Sequence, residues 1–110
     1  MPDSLFIEFI GDSPTTRVLD YLMTERELDF SITDIAKNSG IGRATLYRIW
    51  SNLLKFNMLK PTRVIGRAKL YTLNKTNPTI KKLIELDDIL TLKELKKRSS
   101  EKTKINLLNK

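Results

Sequence analysis

The chain has 110 residues, 40% of them hydrophobic and 30% charged, which is enough for one domain with a modest core. It contains no cysteine and no histidine, which excludes disulfides, thiol nucleophiles, imidazole bases and the usual zinc ligands. The start has no basic signal-peptide segment, and the short apolar run at 5–10 is interrupted by Glu8. We therefore expect a cytoplasmic protein without a membrane partner.

The charges are distributed unevenly along the chain, whose net charge is +7. Residues 1–34 carry eight acids and two bases, residues 35–84 carry eleven bases and no acid, and residues 85–110 carry seven bases and five acids. A lysine-rich surface that only keeps a protein soluble would include glutamates among its cations. This asymmetry instead predicts a face for a polyanion, most simply nucleic acid.

The first two predicted elements are an apolar N-terminal arm, 1–12, and a helix that begins after it. The run at 5–10 is too short to distinguish a strand, a helical turn or an arm, and it could pack on its own domain or on a partner subunit. Ser13 and Pro14 suit the N-cap and first position of a helix that ends near Glu25. Its predicted inner face consists of Val18, Leu19, Leu22 and Met23. Residues 28–30 alternate in polarity, as a short edge strand does.

Two helices joined by a tight turn are predicted between residues 31 and 56. Ser31 followed by Asp34 is a capping box in its aspartate variant, and Gly40 suits a left-handed C-cap. The third helix, 43–56, has one apolar face for the core, made of Leu46, Ile49, Trp50, Leu53 and Leu54. Its other face carries arginine, tyrosine and small polar residues without any acid. Because a solvated helix face usually mixes both signs of charge, this pattern favours a helix-turn-helix whose second helix contacts DNA.

A β-hairpin is predicted directly after this helix. Two β-rich runs, 58–65 and 69–73, lie on either side of a turn at Gly66, and Pro61 restricts the first run to an edge or bulge position. Arg63, Arg67 and Lys69 are placed at or near the tip. Covering the core would explain the apolar residues of such a hairpin but not its clustered cations. A basic hairpin in this position is a wing.

The last predicted helix, 77–98, begins at Asn77-Pro78 and is apolar on nearly all sides. Such a helix needs burial on more than one face. It either lies in a homodimer interface or breaks near Asp87-Asp88, with Thr91 and Glu94 forming a new capping box. Residues 99–110 are expected to form a basic, flexible tail that adds nonspecific affinity for DNA.

The segments from Asp34 to Arg48 and from Thr62 to Thr72 resemble those of the winged helix-turn-helix transcription regulators of archaea and bacteria, the MarR/ArsR-like grouping. The resemblance implies a mainly α fold with a small β-hairpin, a DNA-binding domain at 13–76 and an extra C-terminal helix. It further implies a recognition helix at about 43–56 in the major groove and a wing at about 62–72 on the flanking backbone or minor groove. Gly42 departs from the pattern, because serine or threonine is common at that N-cap.

The predicted partner is double-stranded DNA bound by a homodimer, with no metal and no cofactor. We assign Arg43 and Arg48 to guanine or phosphate, and Tyr47 and Thr45 to phosphate or a thymine methyl group. Lys55 and Lys75 are expected to strengthen binding to all sequences alike. The full set of predicted DNA-binding residues is Arg43, Ala44, Thr45, Tyr47, Arg48, Ser51, Asn52, Lys55, Arg63, Arg67 and Lys69.

Other functions have less support in the sequence. An enzyme is not expected, because the basic block lacks paired carboxylates, and Gly40-x-Gly42 has neither the third glycine of a dinucleotide loop nor a Walker lysine. RNA binding is disfavoured because few aromatic residues are available to stack on bases. The main alternative is a winged helix that serves as a protein–protein adaptor or accessory factor in replication or transcription machinery.

Overall fold

In the computed structural model, which describes residues 3–108 and the side chains of residues 3–100, five helices surround a small sheet. The elements in chain order are α1 (Leu5–Ile10), α2 (Pro14–Thr24), β1 (Phe30–Ser31), α3 (Ile32–Ser39), α4 (Arg43–Lys55), β2 (Leu59–Ile65), β3 (Ala68–Leu73) and α5 (Pro78–Leu108). The strands form one antiparallel sheet in the order β1-β3-β2. The fold is therefore mainly α with a small sheet, as predicted.

The core lies between α2, α3, α4 and the sheet, and α1 covers one end of it. The four predicted inner residues of α2 are all buried, and Leu22 and Met23 are almost fully so. Phe6 of α1 is 1% exposed and belongs to the same core. The N-terminal apolar run is therefore a helix that packs on its own domain through Phe6 and Ile7, while Phe9 and Ile10 remain exposed.

The predicted helix caps are present. The Ser13 hydroxyl accepts a hydrogen bond from the Thr16 N–H at 3.1 Å, and the Ser31 hydroxyl accepts one from the Asp34 N–H at 3.2 Å. Gly40 ends α3 in the left-handed region, with φ of 72°, where a residue with a Cβ atom would be strained. Local chemistry thus sets the ends of the helices that build the helix-turn-helix.

The inner face of α4 is narrower than predicted. Leu46 and Leu53 are fully buried, and Ile49 and Trp50 pack partly buried against the core. Leu54 is 43% exposed, so its assignment to the core was wrong. Position 54 lies about 100° around the helix from position 53, which carries it away from the face that meets the core.

The hairpin β2–β3 has the predicted shape of a wing. Its turn is Gly66-Arg67, and Gly66 has φ of 61°, a conformation that favours glycine in tight hairpin turns. Pro61 lies on an edge strand, and the register shifts between Pro61 and Val64. A sheet tolerates proline on an edge strand or at a bulge, and Pro61 meets both conditions.

Helix α5 runs without interruption from Pro78 to Leu108, so of the two alternatives left open by the sequence, the break near Asp87-Asp88 does not occur. The helix also continues past residue 98, where a flexible tail was expected to begin. No glycine or proline occurs between Thr79 and Leu108, and most residues there favour helix. Thr91 and Glu94 therefore lie inside the helix rather than at a new N-terminus.

Candidate nucleic-acid interface

The outward face of α4 carries most of the residues predicted to bind DNA. The exposed residues of this set are Arg43, Ala44, Tyr47, Arg48, Ser51, Asn52 and Lys55, and Thr45 is half-buried. Tyr47 is 52% exposed although it is a large aromatic residue. Because these side chains recur on one side of the helix, they can meet a single flat or grooved partner.

Two arginines on this face are held by neighbouring hydroxyl groups. Arg43 Nη2 donates to the Tyr47 hydroxyl at 3.2 Å, and its guanidinium lies 5.9 Å from the centre of the Tyr47 ring. Arg48 Nη2 donates to Thr45 Oγ1 at 3.2 Å. These contacts restrict the side chains without neutralising their charge, which leaves both guanidinium groups able to bind an anion or a base edge.

The N-terminus of α4 lacks a side-chain cap. Gly42 occupies the N-cap position and makes no side-chain hydrogen bond. A serine or threonine there would accept a hydrogen bond from a first-turn N–H, which glycine cannot do. The first-turn N–H groups and the positive end of the helix dipole thus remain available to an anion.

The wing contributes Arg67 and Lys69, both exposed near its turn. Lys69 Nζ lies 6.0 Å from the centre of the Tyr71 ring. The apolar side chains of Val64 and Ile65, also near the turn, are 63% and 56% exposed. The tip of the wing therefore presents cations next to apolar surface.

Arg63, which was predicted at or near the tip of the wing, forms an ion pair with Asp29. Its Nε and Nη2 donate to the two carboxylate oxygens of Asp29 at 2.9 and 3.1 Å, and the Thr62 hydroxyl donates to Asp29 at 2.6 Å. The hydrogen bonds from Arg63 and Thr62 lower the pKa of Asp29, so the carboxylate stays charged and the charge of Arg63 is compensated.

Lys75 is also paired, because its ammonium group lies 3.0 Å from both carboxylate oxygens of Glu27. The sequence did not reveal Asp29 and Glu27 as members of this region, because they precede their partners, Arg63 and Lys75, by 34 and 48 residues. The excess of acids in the first part of the chain was the only signal in the sequence. Acids from that block thus compensate two cations of the basic block.

Helix α4 and the wing are joined by an aromatic contact. The rings of Trp50 and Tyr71 lie 4.9 Å apart at an angle of 84°, an edge-to-face arrangement. Trp50 is on the inner side of α4 and Tyr71 is on β3, next to the strand that leads to the turn. The contact holds the exposed face of α4 and the wing in a defined relative position.

Within the part of the chain that the structure describes, no group of three or more acidic residues is arranged to hold a metal ion. No helix among these residues is both long and apolar enough to cross a membrane. Of the predicted DNA-binding residues other than Arg63, none of the cations forms an ion pair with a described carboxylate. Among the described side chains of α4 and the wing, the cations without an ion pair are Arg43, Arg48, Lys55, Lys60, Arg67 and Lys69.

Comparison with known proteins agrees with this arrangement. Residues 30–53, from β1 to near the end of α4, match the model of the helix-turn-helix domain of resolvase. Among curated proteins, no sequence matches the chain.

Three solved structures have a similar fold. MepR, a transcription regulator of the Staphylococcus aureus multidrug efflux pump MepA, is 18% identical with a TM-score of 0.60, over 94% of this chain and 79% of MepR. The adhesin competence repressor AdcR from Streptococcus pyogenes is 18% identical with a TM-score of 0.55, over 84% and 72%. ZitR from Lactococcus lactis, a zinc-responsive MarR family member, is 17% identical with a TM-score of 0.55, over 77% and 60%.

MepR is named as a transcription regulator, AdcR as a repressor and ZitR as a MarR family member. Their similarity at this level of identity concerns the fold. The capped helix α3, the helix α4, the wing and the C-terminal helix occur in the order that the sequence predicted. The chain has the winged helix-turn-helix fold of the MarR-like regulators that it resembles.

Proposed function

We propose that the chain is a transcription regulator that binds double-stranded DNA sequence-specifically, with α4 in the major groove and the wing on the flanking backbone or minor groove. The observation that carries the proposal is the exposed face of α4, where Arg43 and Arg48 have no acidic partner among the described side chains. A major groove about 12 Å wide admits a helix of this kind, and its base edges differ for each base pair.

The groups on α4 and on the wing have separate roles in DNA binding. Arg43 and Arg48 can form two hydrogen bonds to guanine O6 and N7, or clamp a phosphate. Tyr47 and Thr45 hold the arginines in place and face phosphate or a thymine methyl group. Arg67, at the turn of the wing, can enter the adjacent minor groove, where narrow A·T tracts attract arginine.

We further propose that the chain acts as a homodimer formed through its terminal helices. Helix α5 has 31 residues and therefore measures about 46 Å. It is much longer than the first turns that anchor it in the core. Ile89, Leu92 and Leu95 on α5 are each more than half exposed, as is Phe9 on α1. A second copy would bury these residues. Two recognition helices would then read half-sites about 34 Å apart, on a palindromic operator.

Selection of bound duplexes from a random pool, followed by sequencing, tests specificity and symmetry together. We expect an enriched motif with two inverted half-sites. Titration of the enriched duplex at two salt concentrations should show a steep loss of affinity with salt, since cations on α4 and the wing would release counterions from DNA. Recovery of an unchanged random pool, together with no binding at low salt, would contradict the proposal and favour the protein-adaptor alternative.

A further inference from the structure

One side chain, Asn77, caps the N-terminus of α5. Its Oδ1 accepts a hydrogen bond from the Thr79 N–H at 3.0 Å, and its backbone carbonyl accepts one from the Lys81 N–H at 2.9 Å. Asparagine is among the most favourable residues at this position. This contact alone would be an ordinary helix start.

The same side chain also closes the C-terminus of α4. Asn77 Nδ2 donates to the carbonyl of Phe56 at 2.9 Å and to the carbonyl of Asn57 at 3.0 Å. Asn57 ends the helix in the left-handed region with φ of 52°, and the Met58 N–H bonds to the Leu53 carbonyl, as in a Schellman motif. Both hydrogens and the oxygen of one amide are therefore used, with partners on two helices.

Only one orientation of this amide satisfies its partners. If it were reversed, its NH₂ group would face the N–H of Thr79, and its oxygen would face the carbonyl oxygens of Phe56 and Asn57. Donor would then meet donor, and acceptor would meet acceptors. The bond network thus sets the position of the end of α4 relative to the start of α5.

Apolar side chains also anchor the start of α5: Ile80 is 2% exposed and lies in the core, and Leu83 and Ile84 pack partly buried against it. Burial of an apolar side chain is largely non-directional, whereas hydrogen bonds weaken steeply when their angles change. The apolar contacts therefore hold the start of α5 against the domain, and the amide of Asn77 adds a directional restraint where α5 meets the end of α4.

We propose that Asn77 is a positioning residue that fixes the angle between α4 and α5, and thereby the half-site spacing that the dimer recognises. The inference rests on the proposed function, in which α4 reads base pairs and α5 carries the dimer contact. Leu92 lies about 21 Å along α5 from Pro78. A rotation of roughly 10° at the joint would therefore displace this contact by roughly 4 Å, close to the rise of one base pair.

Two variants break the joint and keep the cap of α5. Asn77→Asp retains an oxygen for the Thr79 N–H but replaces the donor with a charge that faces two carbonyls. Asn77→Ser retains a capping oxygen without added charge and cannot reach α4. Asn74→Asp is the matched control, because it removes the bond from Asn74 Nδ2 to the same Asn57 carbonyl, 3.1 Å long, without contacting α5.

Each variant is titrated with the duplex selected by the wild-type chain, with duplexes whose half-sites are one or two base pairs closer or farther apart, and with a single half-site. We expect both Asn77 variants to lose about fivefold to tenfold of the discrimination between spacings, the change expected from one or two lost hydrogen bonds. Affinity for the single half-site should stay within about twofold, as for independent sites. Asn74→Asp should keep the wild-type preference.

Retention of the wild-type spacing preference by both Asn77 variants would overturn the inference. An equal loss of affinity for every duplex, or an equal loss of spacing preference in Asn74→Asp, would also overturn it, because either result indicates general damage to the end of α4. If the wild-type chain selects no duplex at all, the proposed function itself fails, so the two failures are distinguishable.

Discussion

At the scale of single residues, the arginines of the basic block differ in what holds them. Arg43 and Arg48 bond to neutral hydroxyl groups one helical turn away and keep their full charge toward solvent. Arg63 has the same side chain but bonds to both oxygens of Asp29. Residue type and local spacing correctly predicted exposure on α4, but they could not predict a partner 34 residues away.

Replacement of Arg48 by alanine tests base recognition. We expect the affinity for the selected duplex to fall by about 1–3 kcal/mol and the preference at one base pair to relax, because two hydrogen bonds to a base edge are lost. Lys55→Ala is the control and should weaken binding to all duplexes alike. Filter binding or fluorescence anisotropy with the selected duplex and its single-base variants measures both. Wild-type affinity of Arg48→Ala for every duplex would refute the assignment of α4 as the recognition helix.

Replacement of Asp29 by asparagine tests whether the ion pair withholds Arg63 from DNA. We expect higher affinity and a slope of log affinity against log salt that is steeper by about one, since one more cation can release a counterion. Arg63→Ala in the same assay should change the wild-type slope little, because its charge is already compensated by Asp29. If Asp29→Asn leaves the slope unchanged while Arg63→Ala lowers it, Arg63 contacts DNA despite the pair.

At the scale of elements, periodicity and capping predicted α2, α3, α4 and the hairpin well, because those signals come from neighbours within a few residues. The alternative of a break in α5 did not occur, for a related reason. Thr91 and Glu94 have the spacing of a capping box, but a cap forms only where a helix starts, and the surrounding residues favour continuation. The Glu94–Arg98 pair at 3.1 Å adds to the continuous helix.

Replacement of Leu92 by glutamate tests the proposed role of α5 in dimerisation. We expect the dimer to dissociate at concentrations where the wild-type chain remains dimeric, because a charge would be buried in an apolar interface. The free energy of unfolding of the separated chain should change by no more than about 0.5 kcal/mol, since Leu92 is 53% exposed. Sedimentation equilibrium measures the assembly, with Lys93→Glu as a control for added charge on the same helix. An unchanged dimer in Leu92→Glu would place the interface elsewhere.

At the scale of the whole molecule, acids from the first and last blocks meet on the side where α1, α2 and α5 pack. Asp87 of α5 is 3.7 Å from Arg26, and the Ser4 hydroxyl donates to Asp20 at 2.6 Å. Burial, together with repulsion from Asp20 and Asp88, raises the pKa of Asp87, and Arg26 opposes this. The packing of α5 against the domain therefore includes a carboxyl group whose charge is unfavourable.

The raised pKa of Asp87 predicts a pH-dependent effect of Asp87→Asn. A carboxyl group with a raised folded-state pKa contributes stability at low pH, and that contribution is lost as pH rises through the raised value. At pH 7 the variant should therefore equal or exceed the wild type in free energy of unfolding. This advantage should shrink as pH falls toward the ordinary pKa of aspartate.

Thermal melting of both proteins across this pH range gives the difference between them. Glu85→Gln is the control, because Glu85 lies on the same helix, is 59% exposed and pairs with Lys82 rather than with Arg26. It should not produce the same pH-dependent advantage. A constant difference between Asp87→Asn and the wild type at every pH would contradict the assigned cause.

The sequence by itself determined the helix starts at Ser13 and Ser31, the left-handed end at Gly40, the wing turn at Gly66 and the exposed cationic face of α4. These features follow from contacts between residues close in the chain, so local chemistry is sufficient to predict them. Only the tertiary structure decided the exposure of Leu54 and the packing of α1 on its own domain. It also decided the pairs Asp29–Arg63 and Glu27–Lys75 and the amide of Asn77 between two helices, because each joins segments that only folding brings together.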